Sequence, residues 1–123
     1  MPWLSVQTLD RNAYVAQGGG NRGDGERDHR HTIAQTFRAL TGRVLVQVEN
    51  VPTILNPGDE LVAHANQWHG LWVLVDGSRY ESLFFEQDGG PVDVARIKRE
   101  QVPSITPAEA IRRRAILDAE GIF

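Results

Sequence analysis

Two histidines lie one residue apart in the segment DHRHTIAQTFRALTG, which spans residues 28–42. If this segment is a strand, His29, His31 and Gln35 point to one face, because side chains alternate along a strand. Phe37 shares that face, which is therefore predicted to be largely apolar and interior. Buried imidazoles are costly unless their nitrogens have partners, and a divalent metal ion would supply a partner to each ring. The alternative is a strand end at which both histidines are half-solvated.

The composition limits the kinds of site and partner. The 123 residues suit a single domain over residues 1–123, and the absence of cysteine excludes thiolate ligands and disulfides. The net charge of -3 does not favour nucleic acid as a partner. No segment approaches the ~20 apolar residues of a membrane span, and the N-terminus has no signal-peptide pattern. We therefore expect a cytoplasmic protein without a membrane partner, whose ligand is a small molecule.

Short strands separated by turn residues account for most of the chain. The glycine-rich stretch 18–26 has no periodicity and is predicted as a mobile loop, with a lid over a pocket as the functional alternative. The pair Asp76-Gly77 predicts a hairpin between the two strands that flank it. The pattern predicts an all-β domain over about residues 3–90. The predicted strands span residues 3–8, 12–17, 29–40, 43–48, 53–55, 60–63, 70–75 and 79–85.

The tail over about residues 104–121 differs from the rest because it carries helix signals. A Ser or Thr cap, a proline at the first helical position and Glu109 soon after it predict a helix over residues 107–120, which Gly121 ends. The narrow apolar stripe of this helix must pack on the β domain or on a second subunit. The arginine run at 112–114 is predicted to lie on its solvated face.

The spacing of five residues around the two histidines forms a longer pattern. Gly23, His29, His31, Gln35 and Gly42 are arranged as Gly-x5-His-x-His-x3-Gln-x6-Gly. This arrangement resembles the first motif of the cupin superfamily, Gly-x5-His-x-His-x(3,4)-Glu-x6-Gly. The chain departs from the family's motif only at Gln35, where the family has glutamate.

The second cupin motif, Gly-x5-Pro-x-Gly-x2-His-x3-Asn, is matched less fully. In this chain it begins at Gly58 and reaches His69. His64, Asn66 and Val73 stand where the family has Pro, Gly and Asn. The resemblance implies an all-β fold, a cupin β-barrel or jelly roll of the RmlC-like kind, with the predicted α-helix at its C-terminus.

The resemblance also implies one divalent transition metal, held by His29, His31, Gln35 and His69. Iron, nickel, copper and zinc all suit such ligands, so the residue types do not choose among them. The amide of Gln35 replaces a carboxylate, which leaves a bound metal more Lewis acidic and less tightly held. Gln35 either ligates the metal directly or hydrogen-bonds to a metal-bound water or to the substrate.

The pocket beside this metal site is expected to be apolar and aromatic, since a small barrel has room for side chains and one small ligand. On strand 79–85, Tyr80 and Glu81 occupy opposite faces, and either face could be the interior one. The residues predicted to line the pocket are Phe37, Trp68, Leu71, Val73 and Tyr80. The candidates for assisting catalysis are Gln35, His64 and Glu81.

Taken together, the resemblance and the pocket favour a metal-dependent enzyme that acts on a small, largely apolar or aromatic oxygenated substrate. A dioxygenase-type reaction is the first expectation, which would make the protein an oxidoreductase. The alternatives are a non-redox isomerase, cyclase or lyase, and a cupin that binds a small ligand without chemistry. A homodimer is expected, because cupin sheets commonly pair with a symmetry mate.

Overall fold

The structure, a computed structural model, describes residues 3–10, 13–102 and 104–123. These residues contain nine strands and two helices. Neither of the two helices is long and apolar enough to cross a membrane. The strands are β1 Trp3–Asp10, β2 Ala13–Gly20, β3 Gly25–His29, β4 Ala34–Thr41, β5 Val44–Val48, β6 Val51–Leu55, β7 Glu60–Ala63, β8 His69–Val73 and β9 Ser78–Phe85, and the helices are α1 Val94–Glu100 and α2 Pro107–Glu120.

The nine strands form two antiparallel sheets around one core. The first sheet has the order β1-β2-β9-β4-β7, and the second has the order β3-β8-β5-β6. The main core cluster takes side chains from both sheets, and its members are Phe37, Ala39, Val44, Val46, Leu55, Ala63, Leu71, Val73 and Tyr80. The expected all-β jelly roll with a C-terminal helix is confirmed.

The predicted strand 29–40 is instead two strands joined by a corner, and that prediction was wrong. Strand β3 ends at His29, where it pairs with β8 in the second sheet. Strand β4 begins at Ala34, where it pairs with β9 in the first sheet. The chain crosses between the sheets over residues 30–33, so His31 lies in the corner rather than on a strand.

Strand β9 is not the hairpin partner of β8, although the turn at Asp76-Gly77 is present. It crosses to the first sheet and lies between β2 and β4. Alternation along β9 places Tyr80 and Phe84 in the interior, at 5% and 3% exposed. Glu81 therefore points to the outer face of the sheet.

The glycine-rich stretch is largely ordered strand, which corrects the prediction of a mobile loop. Strand β2 continues through Gly20, and β3 begins at Gly25. A Cβ atom at Gly18 would lie 2.7 Å from Cζ of Tyr80, and one at Gly20 would lie 2.7 Å from a carboxylate oxygen of Asp24. These glycines let neighbouring side chains approach the backbone closely, so they do not indicate flexibility.

The C-terminal helix has the bounds that the sequence predicts. The Thr106 hydroxyl accepts a hydrogen bond from the backbone N–H of Glu109, and Gly121 ends the helix in the left-handed conformation. Leu117 packs with Leu45 and Leu74 on the outer face of the second sheet. The helix therefore covers the barrel, one of the two packing partners that the apolar stripe allowed.

Arg113 belongs to this helix–sheet contact and not to a solvated face, because its guanidinium bonds to the sheet. It donates to the carbonyl oxygen of Leu71 at 2.8 Å and to that of Glu26 at 3.0 Å. The guanidinium also lies 4.4 Å from the ring centre of Trp72. Burial lowers the pKa of Arg113. Arg113 thus satisfies two carbonyls at the β3–β8 pairing, where the strand register shifts.

Helix α1 was not predicted from the sequence. Its N-cap is Asp93, whose carboxylate accepts a hydrogen bond from the backbone N–H of Arg96. Its buried residue Ile97 packs against Tyr14, Ile33 and Phe84. The helix has seven residues, of which only one is buried, so its sequence has little helical periodicity. For this reason the sequence did not predict α1.

Candidate metal centre

Three histidines converge inside the barrel from different parts of the chain. His29 ends β3, His69 begins β8, and the two are register partners. His31 reaches the same place from the corner between the sheets. The side chain of His29 is 4% exposed, that of His69 is 2% exposed and that of His31 is 1% exposed. One potential ligand nitrogen from each ring lies within 4.8 Å of the others.

Backbone carbonyls orient two of the three rings. Nδ1 of His29 lies 2.7 Å from the carbonyl oxygen of Arg27, and Nδ1 of His69 lies 3.0 Å from that of Gln67. Each Nδ1 is thereby the protonated donor, which leaves the Nε2 lone pair free to bind a metal. His31 has no such carbonyl, and its Nδ1 lies 3.6 Å from Oε1 of Glu100 in α1.

Several buried polar atoms at this place have no hydrogen-bond partner among the residues that the structure describes. They are both ring nitrogens of His31, Nε2 of His69 and Oε1 of Gln35. Each unpaired buried group costs about 1–3 kcal/mol. One divalent transition metal would bind one nitrogen of His31 together with Nε2 of His69 and Oε1 of Gln35, because imidazole nitrogens and an amide oxygen are suitable ligands. The residues present therefore fit a metal ion.

Gln35 approaches the histidines from the opposite sheet. It lies on β4 as the register partner of Phe84, whose ring centre is 5.1 Å from that of His31. Its side chain is 2% exposed, and its unpaired Oε1 faces no donor in the described residues. The first cupin-like motif is thus assembled from β3, the corner and β4, and not from one strand face.

The environment keeps the rings of His31 and His69 neutral at physiological pH. Burial lowers the pKa of His31 to about 4, and the charge of His29 acts in the same direction. Burial lowers the pKa of His69 to about 3, with the charges of the other two histidines adding to the effect. Neutral imidazole is the form that binds metal, so these two ligands need no deprotonation at pH 7.

Glu26 is half-buried and points toward the same interior, which alternation along the sequence does not predict. The register of β3 shifts between Glu26 and His29, so Glu26 is the partner of the inward-pointing Leu71. Simple alternation would place Glu26 and His29 on opposite faces, whereas the bulge places both inside. Gly25 lies just before this irregularity with a φ of 145°, where a Cβ atom would lie 2.0 Å from the carbonyl oxygen of Leu71.

The Glu26 carboxylate is hydrogen-bonded within the barrel. The Tyr80 side chain neighbours it, and Nε2 of Gln101 donates to Oε1 of Glu26 at 3.4 Å. Burial raises the pKa of Glu26, and the charge of His29 opposes that rise. Burial and the neighbouring Glu26 charge also raise the pKa of Tyr80. A carboxyl group that titrates closer to neutrality is suited to proton transfer.

Four of the five predicted pocket residues lie in the interior cluster, namely Phe37, Leu71, Val73 and Tyr80. The ring centre of Phe37 is 5.4 Å from that of His69. The fifth, Trp68, is 48% exposed and lies under the guanidinium of Arg30. Trp68 is therefore outside the barrel, because its parity is opposite to that of His69.

Two predicted catalytic residues are not brought to the histidines. Glu81 lies on the outer face, 3.8 Å from Nη1 of Arg38 and 3.4 Å from Nε2 of Gln17. His64 is exposed after β7, and its Nδ1 lies 3.2 Å from Nε2 of Gln87. The third, Gln35, is the one that the fold places in the interior.

The fold and site can now be compared with known proteins. The family model described as Cupin domain matches residues 15–78, which is more than half of the chain. This protein belongs to the cupin family. No protein with a curated description matches the sequence.

Solved structures with the same fold include KdgF from Halomonas sp., with a TM-score of 0.67, 22% identity and coverage of 76% of this chain and 82% of that one. A RmlC-like cupin from Shewanella frigidimarina has a TM-score of 0.59 and 16% identity, covering 71% and 78%. A structure of the DMSP lyases RdDddP and RnDddQII has a TM-score of 0.54 and 25% identity. That last similarity covers 61% of this chain and 39% of the other.

Proposed function

We propose that this cupin is a metal-dependent enzyme that catalyses a non-redox proton-transfer reaction on a small oxygenated organic substrate. Isomerisation, ring closure and elimination are the reactions of this class. One observation carries the proposal: the unpaired ligand atoms of the histidine cluster share the barrel with the neighbouring side chains of Glu26 and Tyr80. The metal is iron, nickel, copper or zinc, since the donor set accepts each of them.

The residues that would hold the metal are His29, His31 and His69, together with Oε1 of Gln35. When bound, the metal supplies Lewis-acid polarisation of a substrate oxygen. All four ligands are neutral, so none of them offsets the positive charge that the substrate oxygen would meet. The apolar side chains of Phe37 and Leu71 limit the water around the site and favour a compact substrate.

Glu26 is the group that we assign to proton transfer. As a carboxylate it would accept a proton from the carbon next to the polarised carbonyl group, and the C–H electron pair stays on the substrate. The hydroxyl of Tyr80 neighbours Glu26, and the hydrogen bond from Nε2 of Gln101 helps to direct the carboxylate. The proton then returns to another atom of the substrate or leaves with the departing group, which restores Glu26.

One neighbour supports this class of reaction, since the structure of 25% identity is that of DMSP lyases. The dioxygenase reaction that the resemblance first favoured uses the same three histidines, but it gives Glu26 and Tyr80 no role. A non-catalytic ligand-binding cupin could use the unpaired atoms to hold its ligand, but it gives Glu26 no role in proton transfer. The proton-transfer function accounts for both groups of residues.

The test compares proton exchange with oxygen consumption. Protein loaded with each of the four metals is incubated in D2O with small 2-oxo and 3-oxo carboxylates. Proton NMR then follows exchange at carbon, and an oxygen electrode follows uptake. We expect exchange without oxygen uptake in wild type, at least about 100-fold slower in Glu26→Gln. The matched control is Glu81→Gln on the outer face, which should keep the wild-type rate.

Oxygen uptake without exchange would contradict the proposal and restore the dioxygenase reaction. If Glu26→Gln and Glu81→Gln slowed proton exchange equally, the assignment of Glu26 to proton transfer would be wrong. Gln35→Glu tests direct ligation, because a carboxylate in the coordination sphere should tighten metal binding, as measured by competition with a chelator. Unchanged affinity would place Gln35 outside that sphere.

We also propose that residues 1–123 act as one domain and associate as a homodimer. Strand β6 lies at the edge of the second sheet, where Val51 and Ile54 are exposed. Ile111 and Ile116 of α2 are exposed as well. Light scattering should give twice the chain mass, and Ile54→Lys should give the monomer mass. The cytoplasmic location stays a prediction.

A further inference from the structure

The three histidines differ in what fixes the nitrogen that points away from the site. His29 and His69 are fixed by carbonyls two residues before them in the chain, at 2.7 and 3.0 Å. His31 lies in the corner, where its Nδ1 faces Oε1 of Glu100 at 3.6 Å. The only negatively charged group that the described residues place against Nδ1 of His31 is thus a carboxylate from a separate helix.

Glu100 is itself held in place by the residue after His31. Its Oε2 accepts a hydrogen bond from the hydroxyl of Thr32 at 2.7 Å, and its Oε1 accepts one from the backbone N–H of Thr32 at 3.2 Å. Nε of Arg96 donates to the same hydroxyl at 2.6 Å. The Glu100 side chain is 21% exposed and both of its oxygens accept hydrogen bonds, so the carboxylate carries its negative charge here.

The charge of Glu100 complements the unusual ligand set. The family's motif places a carboxylate among the ligands, and this chain has the neutral Gln35 there. Glu100 places a negative charge on the far side of His31, with its side chain 21% exposed. A carboxylate on the outer nitrogen of a histidine fixes the ring and raises the basicity of the inner nitrogen.

We propose that Glu100 is a positioning residue of the metal centre, which orients His31 and supplies through its ring part of the negative charge that Gln35 lacks. This inference rests on the proposed metal site. It gives α1 a role at the site in addition to covering the core. The contact also couples metal binding to the docking of α1, because Glu100 is the last residue of that helix.

The experiment measures Co2+ binding to the full chain, because Co2+ reports its coordination sphere through visible absorption. Affinity is measured by calorimetry and by chelator competition for wild type, Glu100→Gln and Thr32→Val. Glu100→Gln keeps an acceptor oxygen and removes the charge. Glu120→Gln removes the same charge from an exposed position on α2 and is the matched control. Melting temperatures of the metal-free proteins report stability alone.

We expect Glu100→Gln to bind Co2+ about 10- to 100-fold more weakly than wild type, with a shifted visible spectrum and an unchanged metal-free melting temperature. Thr32→Val should lose less affinity, because the carboxylate and the backbone hydrogen bond remain. Wild-type affinity and spectrum in Glu100→Gln would overturn the inference alone. Equal losses in Glu100→Gln and Thr32→Val would also overturn it, by showing a purely structural clamp. Wild type that binds no Co2+ would overturn the metal site itself.

Discussion

The two ends of the barrel interior differ in the polarity of their buried side chains. At one end, Val44, Val46, Leu55 and Val73 are all 2% exposed or less and fill the space with apolar atoms. At the other end, the histidine cluster and Gln35 are equally buried but leave polar atoms without partners. The apolar end stabilises the fold, whereas the polar end costs stability until a ligand satisfies it.

This difference explains why the polar end is informative about function. Replacing its residues with apolar ones would give a more stable metal-free barrel, yet the chain keeps three histidines there. Sites that sacrifice stability in the free protein are characteristic of binding and catalytic centres. Each variant below therefore changes one end of the barrel and measures both metal binding and stability.

The largest effect is expected at the polar end. His69→Ala should reduce metal affinity by more than about 100-fold, because even the outer partners of a ligand are worth up to that much. The measurement is chelator competition on freshly loaded protein. Wild-type affinity in this variant would show that His69 is not a ligand.

At the apolar end, Leu55→Ala should lower the free energy of unfolding by about 2–5 kcal/mol, because it leaves a cavity in the core. Its metal affinity should stay near that of wild type. Chemical denaturation and the same competition assay check the two statements. A parallel loss of metal binding would mean that the two ends are not independent.

Acid should destabilise the metal-free protein through the polar end. The folded pKa of His31 is about 4 and that of His69 is about 3, below the ordinary value of 6.5. Between these folded pKa values and 6.5, the unfolded chain binds more protons than the folded chain. The contribution of the two histidines to the free energy of unfolding is therefore fully present above pH 6.5 and falls as the pH falls. From pH 7 to pH 5 we expect each of the two histidines to contribute a loss of about 2 kcal/mol, which makes about 4 kcal/mol together. Denaturation curves of wild type should show it, and His69→Leu should flatten it; an unaltered slope would contradict the assignment.

The smallest effect is a gain in stability. Gln35→Met removes an unpaired buried amide and keeps a similar volume, so the metal-free protein should gain about 1 kcal/mol while metal binding weakens. Gln47→Met, on the outer face of β5, is the control and should change neither quantity appreciably. Lower stability of metal-free Gln35→Met would show that the amide has a partner after all.

Local patterns in the sequence were sufficient for the class of fold and for the helix over residues 107–120. Alternation and turn residues define short strands, and the Thr106 cap with Gly121 defines the helix ends. The sheet to which each strand belongs is a property of the whole fold. For this reason the corner after His29 and the crossing of β9 escaped prediction.

The histidines and Gln35 were predicted from the spacing of the motif in the sequence. That spacing does not depend on whether the segment forms one strand, as predicted, or two strands, as observed. Glu26 was missed because a bulge inverts its face, and a bulge depends on pairing with β8. Glu81 was a candidate because alternation along β9 does not say which face of the strand points to the interior. Glu100 was invisible because its relation to His31 spans 69 residues and depends on the docking of α1, as the 3.6 Å contact shows.

The metal content of the purified protein shows whether the three histidines hold an ion. Wild type and His31→Ala are purified in parallel, reconstituted with iron, nickel, copper and zinc in turn, desalted and measured by elemental analysis. We expect close to one metal ion per chain in wild type and almost none in His31→Ala. Absence of metal in reconstituted wild type, or equal metal in both proteins, would contradict this expectation.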